Sequence, residues 1–211
     1  MARSRANDPN QQQLDLGDQY LNRPLAAEGD NVYFAMLPDP MTAARIGRYL
    51  DGLKTERGFV ESPRPARVLH ISLCPLGLYQ NLSLKRLDDA MQAASLVRHH
   101  RFDIALDRLI SFGSKQNPSL VFAGDDGTVG VSDLYEALRK ALARLRPRLS
   151  IPKAIKPHLT GFYRGAIPKE ILLESPFKWT AHEFVLVRSC RGQSRLEPLG
   201  SWPLIDPSRS I

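Results

Sequence analysis

Apolar residues recur along this chain with two periods, and the switches between them outline the fold. "NVYFAMLP" (31–38) is rich in β-branched and aromatic residues and predicts a strand. "DPMTAARIGRYLDGLKTERG" (39–58) changes to a helical period, with Ile46, Tyr49, Leu50 and Leu53 on one side, Asp39 suited to the N-cap and Pro40 to the first helical position. A proline-rich turn leads to a second strand, "ARVLHISL" (66–73). "SLKRLDDAMQAASL" (83–96) and "SDLYEALRKALARL" (132–145) predict two more amphipathic helices. "FDIALDRLISFG" (102–113), "PSLVFAG" (118–124), "HLTGFYRG" (158–165), "HEFVLVRSC" (182–190) and "RLEPLGSWPL" (195–204) predict strands. The class is α+β.

The order strand, helix, strand occurs twice. Phe34 to His70 spans 36 positions, and so does Phe122 to His158. At an offset of 88, Phe34-Ala35 aligns with Phe122-Ala123, Leu50 with Leu138, His70-Ile71-Ser72 with His158-Leu159-Thr160, and Gly77 with Gly165. A duplicated unit predicts two lobes about a pseudo-twofold axis, each with an antiparallel sheet and helices, and equivalent residues facing one central cleft. Residues 29–211 are read as this single domain, and 1–28 as a polar, disordered tail.

Composition narrows the setting. A chain of 211 residues with 43% apolar and 24% charged residues fits a soluble globular domain. No apolar run approaches the ~20 residues of a membrane span, and "MARSRANDPNQQQLDLGDQ" lacks an apolar leader, so the expected location is the cytoplasm. Cys74 and Cys190 have no metal-knuckle or disulfide-framework spacing and are assigned to packing. No metal and no other cofactor is expected. The excess of 29 Lys+Arg over 22 Asp+Glu, a formal +7, favours an anionic partner such as RNA or a nucleotide phosphate.

The duplicated His-x-Ser/Thr is the candidate chemistry. In an extended strand residues i and i+2 share a face, about 7 Å apart, so His70 lies beside Ser72 and His158 beside Thr160. Two such pairs facing each other could surround one phosphate. An imidazole titrates near neutrality, so one copy can take a proton while the other gives one, as displacement at phosphorus requires. The two hydroxyls can donate to the non-bridging oxygens.

"HISLCPLG" and "HLTGFYRG" resemble the paired HxTx/HxSx motifs of the 2H phosphoesterase superfamily, and the layout is most similar to its 2'-5' RNA ligase family, the RNA 2',3'-cyclic phosphodiesterases. The opening "VYFAMLP", the "SLVFAG" strand before "LYEALRKALARL", and the closing "WTAHEFVLVRSC" and "SRLEPLGSWPL" carry the resemblance over residues 30 to 205. It implies a bilobal fold and hydrolysis of a 2',3'-cyclic phosphate at an RNA or nucleotide end to a 2'-phosphomonoester, in some members with reversible 2'-5' joining of RNA. His158 would then activate water and His70 protonate the leaving 3'-oxygen, with either order open to a near-symmetric site. Ser72 and Thr160 would hold the phosphate, and Phe34, Tyr163 and Arg164 would contact the substrate. Many members carry a basic residue shortly after each motif. Here Cys74 and Pro75 follow the first, Gly161 follows Thr160, and Arg164 comes one position late with Tyr163 in its place. A small cyclic nucleotide, an ADP-ribose cyclic phosphate or a non-turnover nucleotide-binding module are the alternatives. A self-contained cleft predicts a monomer.

Overall fold

The computed structural model describes residues 29–114, 116–145 and 151–206; the tail expected at 1–28 lies outside the described residues. Eight strands form one sheet: β1 (Asn31–Met36), β2 (Ile71–Leu78), β3 (Phe102–Phe112), β4 (Ser119–Ala123), β5 (Leu159–Tyr163), β6 (Ile171–Ala181), β7 (Glu183–Cys190) and β8 (Arg195–Pro203). Their order is β6-β3-β4-β5-β2-β1-β7-β8, with antiparallel ladders throughout. From the middle outwards the sheet consists of two halves, β2-β1-β7-β8 and β5-β4-β3-β6, joined where Ile71 pairs with Leu159. The two sheets expected from the repeat are therefore halves of one. Pairing the motif strands satisfies backbone groups that two separate sheets would leave at bare edges.

Helix α1 (Pro40–Arg57) begins as its sequence predicts: the Asp39 carboxylate accepts from Thr42 N–H at 2.9 Å, and Gly58 ends it in the left-handed conformation, φ 66°. Helices α2 (Leu84–Ser95) and α3 (Val129–Leu145) follow, α2 capped by Ser83. All three cover one face of the sheet. Ile46, Leu50 and Leu53 of α1, Ala90, Ala93 and Ala94 of α2, and Leu134, Leu138 and Leu142 of α3 share one core with Phe34, Ile71, Phe122, Leu159 and Leu186. Burying a side chain of this size contributes roughly 1.5–3 kcal/mol. On the opposite face Ala35, Val185 and Val187 form a separate small cluster with Tyr33 and Leu196. None of the helices among the described residues is long and apolar enough to cross a membrane.

The structure corrects the repeat in one respect. Met36 pairs with Ile71 while Phe122 pairs with Leu159, so the first strands correspond at an offset of 86 (36 to 122), not the 88 of the motif strands. Phe34 thus corresponds to Leu120 rather than Phe122. The second predicted strand also starts later, at Ile71, because Ala66–Val68 close a 3₁₀ turn. Most of β6 was not expected from the sequence. Its polar Glu174-Ser175-Pro176 interrupts the pattern, and the ladder steps over these residues, from Phe177 opposite Leu106 to Leu172 opposite Arg108. An edge strand tolerates such a proline because its missing N–H need not face a neighbour.

Candidate active site

The seam between the halves sets the site. Ile71 and Leu159 pair and point into the core beneath the helices. Strand alternation sends their neighbours the other way, and continuing the antiparallel register by one residue puts His70 across from Thr160 and Ser72 across from His158. Both histidines and both hydroxyls therefore occupy the helix-free face at one place. Each motif strand bulges just past its hydroxyl residue: β2 between the Ser72–Ala35 and Pro75–Tyr33 pairs, β5 between Thr160–Val121 and Phe162–Leu120. The bulges return Pro75 and Tyr163 to the site face.

The imidazoles are held alike. His70 Nδ1 lies 2.8 Å from the Val68 carbonyl, and His158 Nδ1 lies 2.8 Å from that of Lys156. A carbonyl accepts and cannot donate, so each Nδ1 carries the proton and each Nε2 is left with its lone pair. Each ring is also backed by an aromatic. Tyr33 of β1 stacks on His70, with centroids 5.0 Å apart and an interplanar angle of 28°; Phe112 of β3 lies against His158 at 4.5 Å.

Burial disfavours both imidazolium forms. His70 is pushed from 6.5 down to about 4, first by desolvation, with the charges of Arg64 and His158 adding to it and the Val68 carbonyl opposing. His158 is lowered as well, by desolvation and the Lys156 charge against the Lys156 carbonyl. The Tyr33 hydroxyl is pushed up to about 12 by burial, although Ser189 hydrogen-bonds to it. Among the described residues no three His, Cys, Asp or Glu side chains gather as a metal site.

The remaining expected contacts divide. Tyr163 is exposed on the site face, with the guanidinium of Arg64 over its ring at 5.1 Å. Arg164, at φ 55° beyond the strand, is ion-paired with Glu61 at 3.6 Å. Phe34 must be corrected. It is fully buried on the helix side, against Phe184 (6.2 Å) and Trp202 (5.7 Å), because it is one residue out of phase with the site face. Its neighbour Tyr33 occupies the position foreseen for it. Arg64 and Phe112 were missed: Arg64 sits in the proline-rich turn without a motif, and Phe112 approaches His158 from a strand separated from β5 by β4. Cys74 and Cys190 are buried free thiols, as packing roles require.

The family model of the 2'-5' RNA ligase superfamily matches residues 38–193. The chain belongs to that superfamily. Solved structures with the same fold include a protein described as a phosphoesterase (TM-score 0.67, 20% identity, 85% of this chain and 100% of that one). E. coli LigT has a TM-score of 0.66 at 20% identity, with 85% and 100% of the two chains covered. TT0787 of Thermus thermophilus has 0.66 at 22%, with 84% and 99% covered. No curated protein matches the sequence. At these identities the structural likeness shows the fold.

The imidazole environments give a pH prediction. Acid–base catalysis by this pair needs one histidine protonated and one neutral, and both pKa values in the free protein lie below 6.5. The kcat/KM profile should therefore be bell-shaped with its maximum on the acid side of 6.5, falling at neutral pH as the protonated partner is lost. Stability should change in the same window. A histidine kept neutral in the fold but titrating near 6.5 when unfolded lets the unfolded chain bind more protons as pH falls from about 6.5 towards about 4, so the fold is weakened there. Thermal melting across that range should show a decline that His70→Gln reduces. A flat melting temperature would contradict a His70 kept neutral by the fold.

Proposed function

We propose that the protein is a phosphodiesterase that opens 2',3'-cyclic phosphates at RNA or nucleotide ends to 2'-phosphomonoesters, working without a metal. The observation that carries this reading is the Ile71–Leu159 pairing, which places His70, Ser72, His158 and Thr160 on one face of the seam. The superfamily supplies the assignment of roles. Nε2 of His158 takes a proton from water as the water oxygen bonds to phosphorus. The bond from phosphorus to the 3'-oxygen breaks, and His70, protonated at Nε2, gives its proton to that oxygen. The 2'-ester remains. With a 5'-hydroxyl in place of water and the 3'-oxygen again the leaving group, the same two proton transfers would join RNA ends through a 2'-5' linkage, and their reversal would cleave it.

The hydroxyls of Ser72 and Thr160 donate to the non-bridging oxygens, where charge accumulates in the transition state. Basic composition favours such an anionic substrate, and the LigT structures hold ATP, NADP+, 3'-AMP and phosphate, which supports a nucleotide phosphate as the ligand class. The cell compartment consistent with this substrate is the cytoplasm, and the working unit proposed is the monomer.

The test is incubation of purified protein, in excess EDTA, with nucleoside 2',3'-cyclic phosphates, ADP-ribose 1'',2''-cyclic phosphate and a short RNA ending in a 2',3'-cyclic phosphate. The expected product from the RNA and nucleosides is the 2'-monophosphate. Ser72→Ala and Thr160→Val should each lower kcat by about 10²-fold. Turnover of the ADP-ribose compound alone would replace the RNA reading by the small-substrate one, and tight nucleotide binding with no turnover would favour a binding module.

A further inference from the structure

A cation reaches the site on a segment that neither motif covers. Residues 58–65, between α1 and the 3₁₀ turn, are fastened to β5 and the residue after it at three points. Phe59 packs on Phe162 with centroids 4.9 Å apart, the Arg64 backbone N–H donates to the Gly161 carbonyl at 2.8 Å, and Glu61 pairs with Arg164 at 3.6 Å. On its other side Gly161 lets α1 pack close to the strand: a Cβ there would meet Leu50 Cδ2 at 2.7 Å. The departures noted after the second motif, Gly161 and the late Arg164, are thus the residues to which this loop is attached.

The loop delivers the Arg64 side chain to the reacting face. Its guanidinium lies over the ring of Tyr163, and its Nη2 donates at 3.3 Å to the Val68 carbonyl, the same oxygen that holds His70 Nδ1. Arg64 and His70 therefore converge on one atom. Among the described residues no carboxylate lies within ion-pair distance of Arg64, whereas Arg164, Arg101, Arg108 and Arg188 are each matched by one. A guanidinium has five N–H donors in a plane, and stacking on an aromatic fixes that plane while leaving its edge free to bind an oxyanion.

We propose that Arg64 is the anion receptor of this site: seated over the Tyr163 ring, it donates to a non-bridging oxygen of the phosphate flanked by His70 and His158. It would supply the positive charge that no residue directly after either motif supplies. The substrate rests on the phosphodiesterase reading; binding of phosphate itself does not.

The experiment titrates inorganic phosphate into the wild type and into Arg64→Gln, Arg64→Lys, Tyr163→Leu and Arg86→Met, following the imidazole signals by NMR, and measures kcat and KM on a nucleoside 2',3'-cyclic phosphate. Arg64→Gln removes the charge and keeps a polar side chain while Arg64→Lys keeps the charge, so the pair separates charge from structural support. Arg64→Gln should weaken phosphate binding about 10- to 100-fold and raise KM correspondingly. Arg64→Lys should recover part of that loss, and Tyr163→Leu should weaken binding severalfold by removing the platform. Arg86→Met, an exposed cation on α2, should bind phosphate like the wild type. Equal phosphate affinity and equal KM in wild type and Arg64→Gln would overturn the proposal. Arg64-dependent phosphate binding without turnover of any cyclic phosphate would uphold the anion site and defeat the phosphodiesterase reading instead.

Discussion

His158→Ala and His70→Ala should each lower kcat on a 2',3'-cyclic phosphate by about 10²- to 10⁴-fold, while KM changes much less. On the proposed mechanism each variant removes one of two proton relays, and neither ring carries the sheet's core, since their neighbours Ile71 and Leu159 do that. The double variant should be little worse than either single one, because a displacement that lacks its base gains little from its acid. Steady-state kinetics, with circular dichroism confirming the fold, reads both effects. Losses below tenfold in both single variants would mean that the histidines serve packing rather than proton transfer.

Phe34→Ala should cost about 3–5 kcal/mol of stability and leave the KM of the folded enzyme unchanged. Its ring is fully buried between Phe184 and Trp202 on the helix side. Tyr33→Ala, one residue away, should do the converse: a modest loss of stability, and a fall in kcat of about 10- to 100-fold as the ring behind His70 is lost and the imidazole wanders. Urea unfolding beside steady-state kinetics separates the two. A KM effect at Phe34 together with none in kcat at Tyr33 would mean that β1 faces the other way.

That one-residue difference marks how far the sequence could be read. The His-x-Ser and His-x-Thr pairs were legible because alternation within a strand is local, and their repetition supplied the context that one copy lacks. The helix over 40–57 was legible because Asp39, Pro40 and Gly58 are local signals at its two ends. The face of β1 was not, since Val32, Tyr33, Phe34 and Ala35 are all apolar or aromatic and alternation gives no parity where both faces are covered. The structure covers Phe34 with helices and Tyr33 with the small cluster around Val185 and Val187. The offset of the first strands differs by two from that of the motif strands, and only hydrogen-bonded register can fix such a shift. Arg64 and Phe112 reach the histidines through loop docking and through a strand two places away, long-range placements without a sequence signature.

In the proposed mechanism two neutral imidazoles, each protonated at Nδ1, turn both Nε2 atoms toward one phosphate. Nitrogen-15 NMR of histidine-labelled protein at pH 7, with and without saturating 2'-AMP, tests it most directly. Both His70 and His158 should be Nδ1–H tautomers, and on binding both Nε2 resonances should shift in the direction of protonation. An Nε2–H tautomer at either residue, or a response confined to one of them, would contradict it.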